Sequence, residues 1–371
     1  MAYTTIDDPT KYFQVIKYVG NQTDDRAMTF DGNSDMQPDW FLTKRYDSGS
    51  DHWDIQDTCR GLVDGSGDGV SLYPASTNVE NSDTGKIKTA TSDGFTLGVN
   101  NQNNGNSKNY VCMAWNCNAG TNESAVTESG NNPGNTRQTN ATAGFSMIRY
   151  IGTGAAGTIA HGLGAKPELI IVKNRAASGW SWYTYHGANT AAPETDQLYW
   201  NNSDATLDAA DRWNDTAPTT SVFTVGDNGG VNANDNSYMS YVFTSIKGYS
   251  KFGSYIGNGN ANGPKIYTGF KPALVMFKRT SGSADWGLMN WRTAPRNSEN
   301  TNDIANQLET SSNDGHSNQV DFYFLSNGFK LDGTGNFSNA SGENYVYMAW
   351  AQNPFVTSKG APTTAFGPHK R

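Results

Sequence analysis

Residues 166–175 read KPELIIVKNR, residues 271–279 read KPALVMFKR and residues 37–45 read QPDWFLTKR. A proline, a short apolar run and a basic stop describe a buried strand. That this pattern occurs three times in one chain decides the fold, because a repeat constrains every later inference. Three further blocks recur around it in constant order. Ahead of it stands an aromatic-to-glycine block, FQVIKYVG at 13–20, FSMIRYIG at 145–152 and FGSYIG at 252–257. Behind it comes a turn with a Phe and an aliphatic two residues apart, which places both on one face of a strand: SDGFTLG at 92–98, TSVFTVG at 220–226 and SNGFKLDG at 326–333. The last block, NYVCMAW at 109–115, SYMSYVF at 237–243 and NYVYMAW at 344–350, is crowded enough with apolar and aromatic residues to be buried on both faces.

Spacing makes the recurrence evidence of shared structure. From the Pro to the later Phe the intervals are 57 (Pro38 to Phe95), 56 (Pro167 to Phe223) and 57 (Pro272 to Phe329). From that Phe to the Tyr of the last block they are 15 (to Tyr110), 15 (to Tyr238) and 16 (to Tyr345). Length variation is thus confined to loops, as expected for diverged copies of one module. The reading is an all-β chain of three tandem antiparallel β-sandwich modules at 1–119, 144–249 and 250–357. A polar linker at 120–143 and a polar tail at 358–371 complete it. The linker stretch holds almost no large apolar side chain and is read as an exposed connector. FTSIKGYSKFGSY at 243–255 runs without a break, so modules two and three are expected to pack together. Further runs around Trp53, Trp180 to Tyr185 and Trp286 to Trp291 imply six to eight short strands per copy. Helices should be short and few, with NDIANQLET at 302–310 the best exception.

Composition agrees with strands and turns. Only 17% of residues are charged, 40 are Gly and 12% are aromatic, so solubility rests on Asn, Ser, Thr and Gly. A net charge of -8 and a pI near 5.1 argue against a nucleic-acid partner. No early apolar run or stretch of 18 apolar residues is present, so neither a signal peptide nor membrane insertion is expected. Cys59, Cys112 and Cys117 form no disulfide framework and no C-x-x-C pair, and read as small buried hydrophobes.

Motifs that carry chemistry are scarce. Nothing resembles a nucleophile elbow, a P-loop, a zincin helix or a dinucleotide fingerprint. GNGNANG at 257–263 lacks the Lys-Ser or Lys-Thr of a phosphate cradle and reads as a turn. The histidines at 52, 161, 186, 316 and 369 have no metal-ligand spacing. DGSGDG at 64–69 has the composition of a calcium loop without the closing bidentate Glu, and that composition also makes a plain turn. No catalytic residue, cofactor or metal is nominated. Paired carboxylates for glycoside hydrolysis are not indicated, since Glu168 and Asp285 have no counterparts in the other copies. The one repeated feature with functional scope is a tryptophan 5 to 8 residues after each basic stop, at Trp53, Trp180 and Trp286, with Trp182 and Trp291 close behind. Exposed, such rings stack on the apolar face of a sugar. Buried, they plug a core or a junction between modules, and recurrence itself favours that second reading.

Taken together, HGLGAKPELIIVKNR, GYSKFGSYIGNGNANG, GFKPALVMFKR, DFYFLSNGFKL and NYVYMAWAQNPFV resemble a family of marine bacteriophage virion proteins with lectin-like modules, often labelled tail fibre. The resemblance covers nearly the whole chain, from MAYTTIDDP to the residues after Phe355. It implies concanavalin A-like sandwiches on the exterior of the phage particle, other virion proteins and a host-surface glycan as partners, and no established catalytic residues. Fibres and spikes are commonly threefold, so a homotrimer is one expected state. A capsid decoration protein or head fibre, and a polysaccharide depolymerase, are the alternatives. The first module departs most from the pattern, with WFLTKRYDSGSDHW.

Overall fold

The four recurring blocks become four strands with the same neighbours in every copy. The computed structural model describes residues 3–49, 51–293, 307–315 and 321–363. In each module an opening strand (Phe13–Val19, Phe145–Ile151, Ser250–Ile256) pairs with a closing strand (Asn109–Trp115, Ser237–Phe243, Asn344–Pro354). The closing strand pairs on its other edge with a central strand (Trp40–Arg45, Leu169–Asn174, Phe270–Arg279), and this pairs with a flanking strand (Asp54–Asp57, Trp182–His186, Gly287–Asn290). Every one of these ladders is antiparallel. Pro272 lies within a central strand because the ladder shifts register on either side of it, a bulge that spares the missing N–H.

A second, smaller sheet covers one face of each main sheet. It is built on the pairs Arg26–Thr29 with Gly94–Leu97, Gly157–Ala160 with Val222–Val225, and Lys265–Tyr267 with Gly328–Asp332. With 42% of residues in strands and 5% in helices, the fold is all-β, an antiparallel sandwich architecture. The described α-helices are single turns of four residues. Residues 302–306 of the expected helix lie outside the described residues, and Leu308–Glu309 is a short strand. Among the described residues no helix is long and apolar enough to cross a membrane.

Alternation along the closing strands shows why both faces are buried. Tyr110, Cys112 and Ala114 point into the sandwich of module one, whereas Val111, Met113 and Trp115 point the other way into a core shared with the other modules. In module two, Tyr238 and Val242 face inward, and Met239, Tyr241 and Phe243 enter the shared core. The three main sheets therefore put their outer faces together. At the meeting point the Trp350 ring lies 5.3 Å from Trp115 and 5.5 Å from Phe243, centroid to centroid. Phe145 stacks on Phe243 at 4.3 Å and Trp40 on Tyr241 at 4.8 Å.

Module one also packs on the others, its Phe13 ring lying 6.1 Å from Trp350 of module three across the shared core. One expectation needs correction. The stretch 120–143 is not only a connector, since Asn135–Asn140 adds a strand to the edge of the module-two sheet. Its polar composition misled because a ladder needs backbone groups, not apolar side chains. The chain here is a gasket between modules one and two: the Cys117 thiol donates to the Gln138 carbonyl at 3.0 Å and the Thr58 hydroxyl to Gln138 Oε1 at 2.8 Å.

Candidate functional site

The five tryptophans proposed as sugar platforms part company in three dimensions. Trp53, Trp182 and Trp286 sit at equivalent places beside the flanking strands and are fully buried, at 0% exposure. They do not stack on a ligand from solvent. Each donates its indole N–H to a backbone carbonyl of a neighbouring module: Trp53 to Glu309 at 2.7 Å, Trp286 to Tyr199 at 2.7 Å, and Trp182 to Tyr73 at 3.0 Å. Module one thus reaches module three, three reaches two, and two reaches one, which closes a ring. A buried Trp with its N–H satisfied adds area and direction to a joint. Trp180 is half-buried against the helix Gly229–Asn232. Its carbonyl accepts from Lys173 Nζ at 2.6 Å.

Two of the three buried lysines in the basic stops, Lys44 and Lys278, serve the same joints, while Lys173 bonds within its own module. Lys44, Lys173 and Lys278 are fully buried at matching positions, and burial brings each ammonium down to about 8. Lys44 donates across to the Asn313 carbonyl at 2.7 Å, and Lys278 to that of Ser203 at 3.2 Å. Between modules one and two, Arg60 is paired with Asp57 and Glu80, Arg175 with Glu80, and the Tyr241 hydroxyl donates to Asp57 at 2.7 Å. Between two and three, His186 Nε2 lies 3.1 Å from the Tyr347 carbonyl, and burial holds the ring down to about 4. His161 is likewise buried, its Nδ1 accepting from the Leu163 N–H. Burial also pushes Glu309 up to about 7.

Trp291 stands apart. It follows the flanking strand of module three, half-buried, on the wall of a narrow cleft between that module and module one. The Arg292 guanidinium lies 4.1 Å from the Trp291 ring centroid, donates from Nε to the Val15 carbonyl at 3.1 Å, and is paired with Asp31. Gln352 and Asn353 form the opposite wall. Sequence reading did not reach these two, although a signal exists: the third closing run continues as AQNP to Pro354, four residues beyond its counterparts. This arrangement sets a ring and two side-chain amides along the seam between the modules.

The DGSGDG stretch is a turn that uses its own oxygens. Asp64 Oδ1 accepts from the N–H groups of Ser66 and Asp68, and Asp68 accepts from the Thr84 hydroxyl. Among the described residues no group of three or more His, Cys, Asp or Glu is placed to hold a metal ion. The three cysteines are free and buried.

A device that sequence reading also missed recurs in every module. Two tyrosines stack side by side (Tyr18 on Tyr110, Tyr150 on Tyr238, Tyr255 on Tyr345), and beside them an asparagine, Asn104, Asn232 or Asn339, bridges the surrounding loops. The glycine ending each opening block is required there, because a Cβ on Gly20, Gly152 or Gly257 would lie 2.1–2.2 Å from a carbonyl oxygen of the loop it crosses. The Tyr, Gly and Asn positions were in view as isolated letters, but their partnership is tertiary.

Comparison with curated proteins and with solved structures returns no match. One family model, described as a domain of unknown function (DUF7483), matches residues 8–354 and so runs across all three modules. The chain belongs to that family.

Proposed function

We propose that this protein is a non-enzymatic structural component on the exterior of a bacteriophage particle, a tail fibre or spike part with lectin-like adhesion to the host surface. The observation that carries the reading is the closed ring of indole hydrogen bonds among three like modules. Lys44, Lys278, His186 and an arginine–carboxylate network all fasten those joints, as a scaffold requires. One chain then supplies the three-lobed body that a spike otherwise assembles from three subunits, and it matches a threefold seat without trimerising. The motif resemblance supplies the particle and the host surface.

A capsid decoration protein or head fibre is the second reading, and the ring favours it in one respect, since the lobes cluster around a centre and the described residues form no shaft. Imaging particles labelled with an antibody to this chain separates the two. Label at the tail tip supports the fibre or spike, label over the head transfers the protein to the capsid, and no label on any particle removes the virion role. Release of reducing ends from host polysaccharide by pure protein would replace adhesion with depolymerase chemistry.

A further inference from the structure

We propose that a pocket on the outer face of module two binds the oxyanion of an acidic sugar, a carboxylate, sulfate or phosphate carried by a surface glycan; this rests on the adhesive reading above and assigns its site. The pocket, of about 340 Å³, lies over the opening strand of module two, and residues 125, 126 and 134 form its far wall. Its volume falls within the range of small-ligand sites. Strand alternation decides what it presents. Arg149 and Ile151 project from the opening strand to one face, with Thr136 opposite Arg149 on one neighbouring strand and Ser237 opposite Ile151 on the other. All four line the pocket, with Arg175 beside them.

The charges around it leave one cation over. Arg175 is held by both carboxylate oxygens of Glu80, at 2.8 and 2.7 Å, and Arg60 is held by Asp57 and Glu80. Those two cations and two acids balance. Arg149 is half-buried; among the described residues its guanidinium has no ion pair or hydrogen bond, and no acidic residue lines the pocket. A guanidinium carries five N–H donors in a fixed fork and engages two oxygens of a carboxylate, sulfate or phosphate at once. Val126 and Ile151, 37% and 47% exposed, add apolar surface against which the C–H groups of a sugar ring pack. The Thr136 and Ser237 hydroxyls both donate and accept, as sugar hydroxyls require. An inorganic anion would use the guanidinium and leave the rest idle. Comparison with module three isolates what Arg149 adds. Arg149 stands just ahead of the stacked Tyr150, where module three has Ser254 ahead of Tyr255. An equivalent hollow over module three, about 450 Å³ and walled by residues 188–191 of module two, is lined by Ser254 and by Asn344 in the place of Ser237, with no charged residue among the described ones. The fold supplies the hollow, and Arg149 sets which ligand the one on module two takes.

The test is an array of uronate-bearing, sulfated, phosphorylated and neutral glycans probed with the intact protein, followed by titration of the hits against wild type, Arg149→Gln and Ile151→Glu. Wild type should bind acidic glycans with an affinity that falls as salt rises, and each variant should weaken binding at least tenfold. The acidic class that binds names the oxyanion. Arg149→Gln should melt with wild type, because it breaks no ion pair, so its loss of binding is not a loss of fold. Should it fail to fold, Ile151→Glu decides alone, since at an exposed position it sets a carboxylate against the ligand's own charge. Binding retained within threefold in Arg149→Gln overturns the pocket assignment and leaves adhesion standing elsewhere. Binding to neutral glycans alone overturns the oxyanion class. Inorganic sulfate or phosphate bound by wild type in calorimetric titration, with no glycan hit, overturns the saccharide. Silence of wild type towards glycans and inorganic anions alike overturns adhesion itself and the pocket with it.

Discussion

Replacing Trp53, Trp182 or Trp286 by Phe should weaken one joint of the ring while leaving an aromatic ring in place. The carbonyl that loses its indole donor stays buried, which costs about 1–3 kcal/mol. The smaller ring adds roughly 1 kcal/mol for the space it empties. The expected loss is therefore about 2–4 kcal/mol per joint. For a chain of 371 residues the unfolding entropy is about 0.8 kcal/mol per degree, so the melting midpoint should fall by about 3–5 °C. Urea and thermal unfolding followed by both tryptophan fluorescence and far-ultraviolet circular dichroism read this directly. Wild type and all three variants should unfold in one transition common to both probes, because the modules share a core. A shift below about 1 °C in every variant, or separate transitions for separate modules in the wild type, would refute the ring as the unit of stability.

Four further outcomes follow from the same contacts. Lys173 has its folded value brought down to about 8 from an ordinary 10.5, so the unfolded chain holds that proton over the interval; stability should rise from pH 8 towards 10, and Lys173→Met should lessen, but not abolish, the rise in pH-dependent urea titrations, because Lys44 and Lys278 titrate over the same interval. Glu309 has the opposite sign, since its folded value is raised to about 7 from 4.5: its contribution is complete below pH 4.5 and lost as pH climbs to 7, and Glu309→Gln should remove that decline. Gly152→Ala should cost about 1–3 kcal/mol by chemical denaturation, because its Cβ would meet the Ala233 carbonyl oxygen at 2.2 Å; a neutral result would mean the loop yields freely. Asn232→Ala should cost about 1–3 kcal/mol by stranding the carbonyls of Ala155 and Gly226, and hydrogen exchange should report opening confined to those loops.

What the linear pattern determined was the module. A period-two alternation with proline, glycine and basic punctuation admits few structures other than paired strands, and constant spacing in three copies dictates that they pair alike. The closing runs, too apolar for a sheet with one wet face, already implied that each main sheet is covered twice. What covers the second face was decided only by tertiary structure, because burial of Trp53, Trp182 and Trp286 depends on carbonyls at Glu309, Tyr73 and Tyr199, far along the chain and chemically anonymous in a sequence. The same holds for NTRQTN at 135–140, whose backbone finds a sheet edge that no composition advertises. The pocket on module two is the extreme case. Thr136, Arg149 and Ser237 come from three separate stretches of chain, and only strand pairing shows that they line one hollow, in which Arg149 meets no acid among the described residues. Hydrophobic alternation is local and survives divergence, whereas the pairing of polar atoms across a junction is set by how the modules meet.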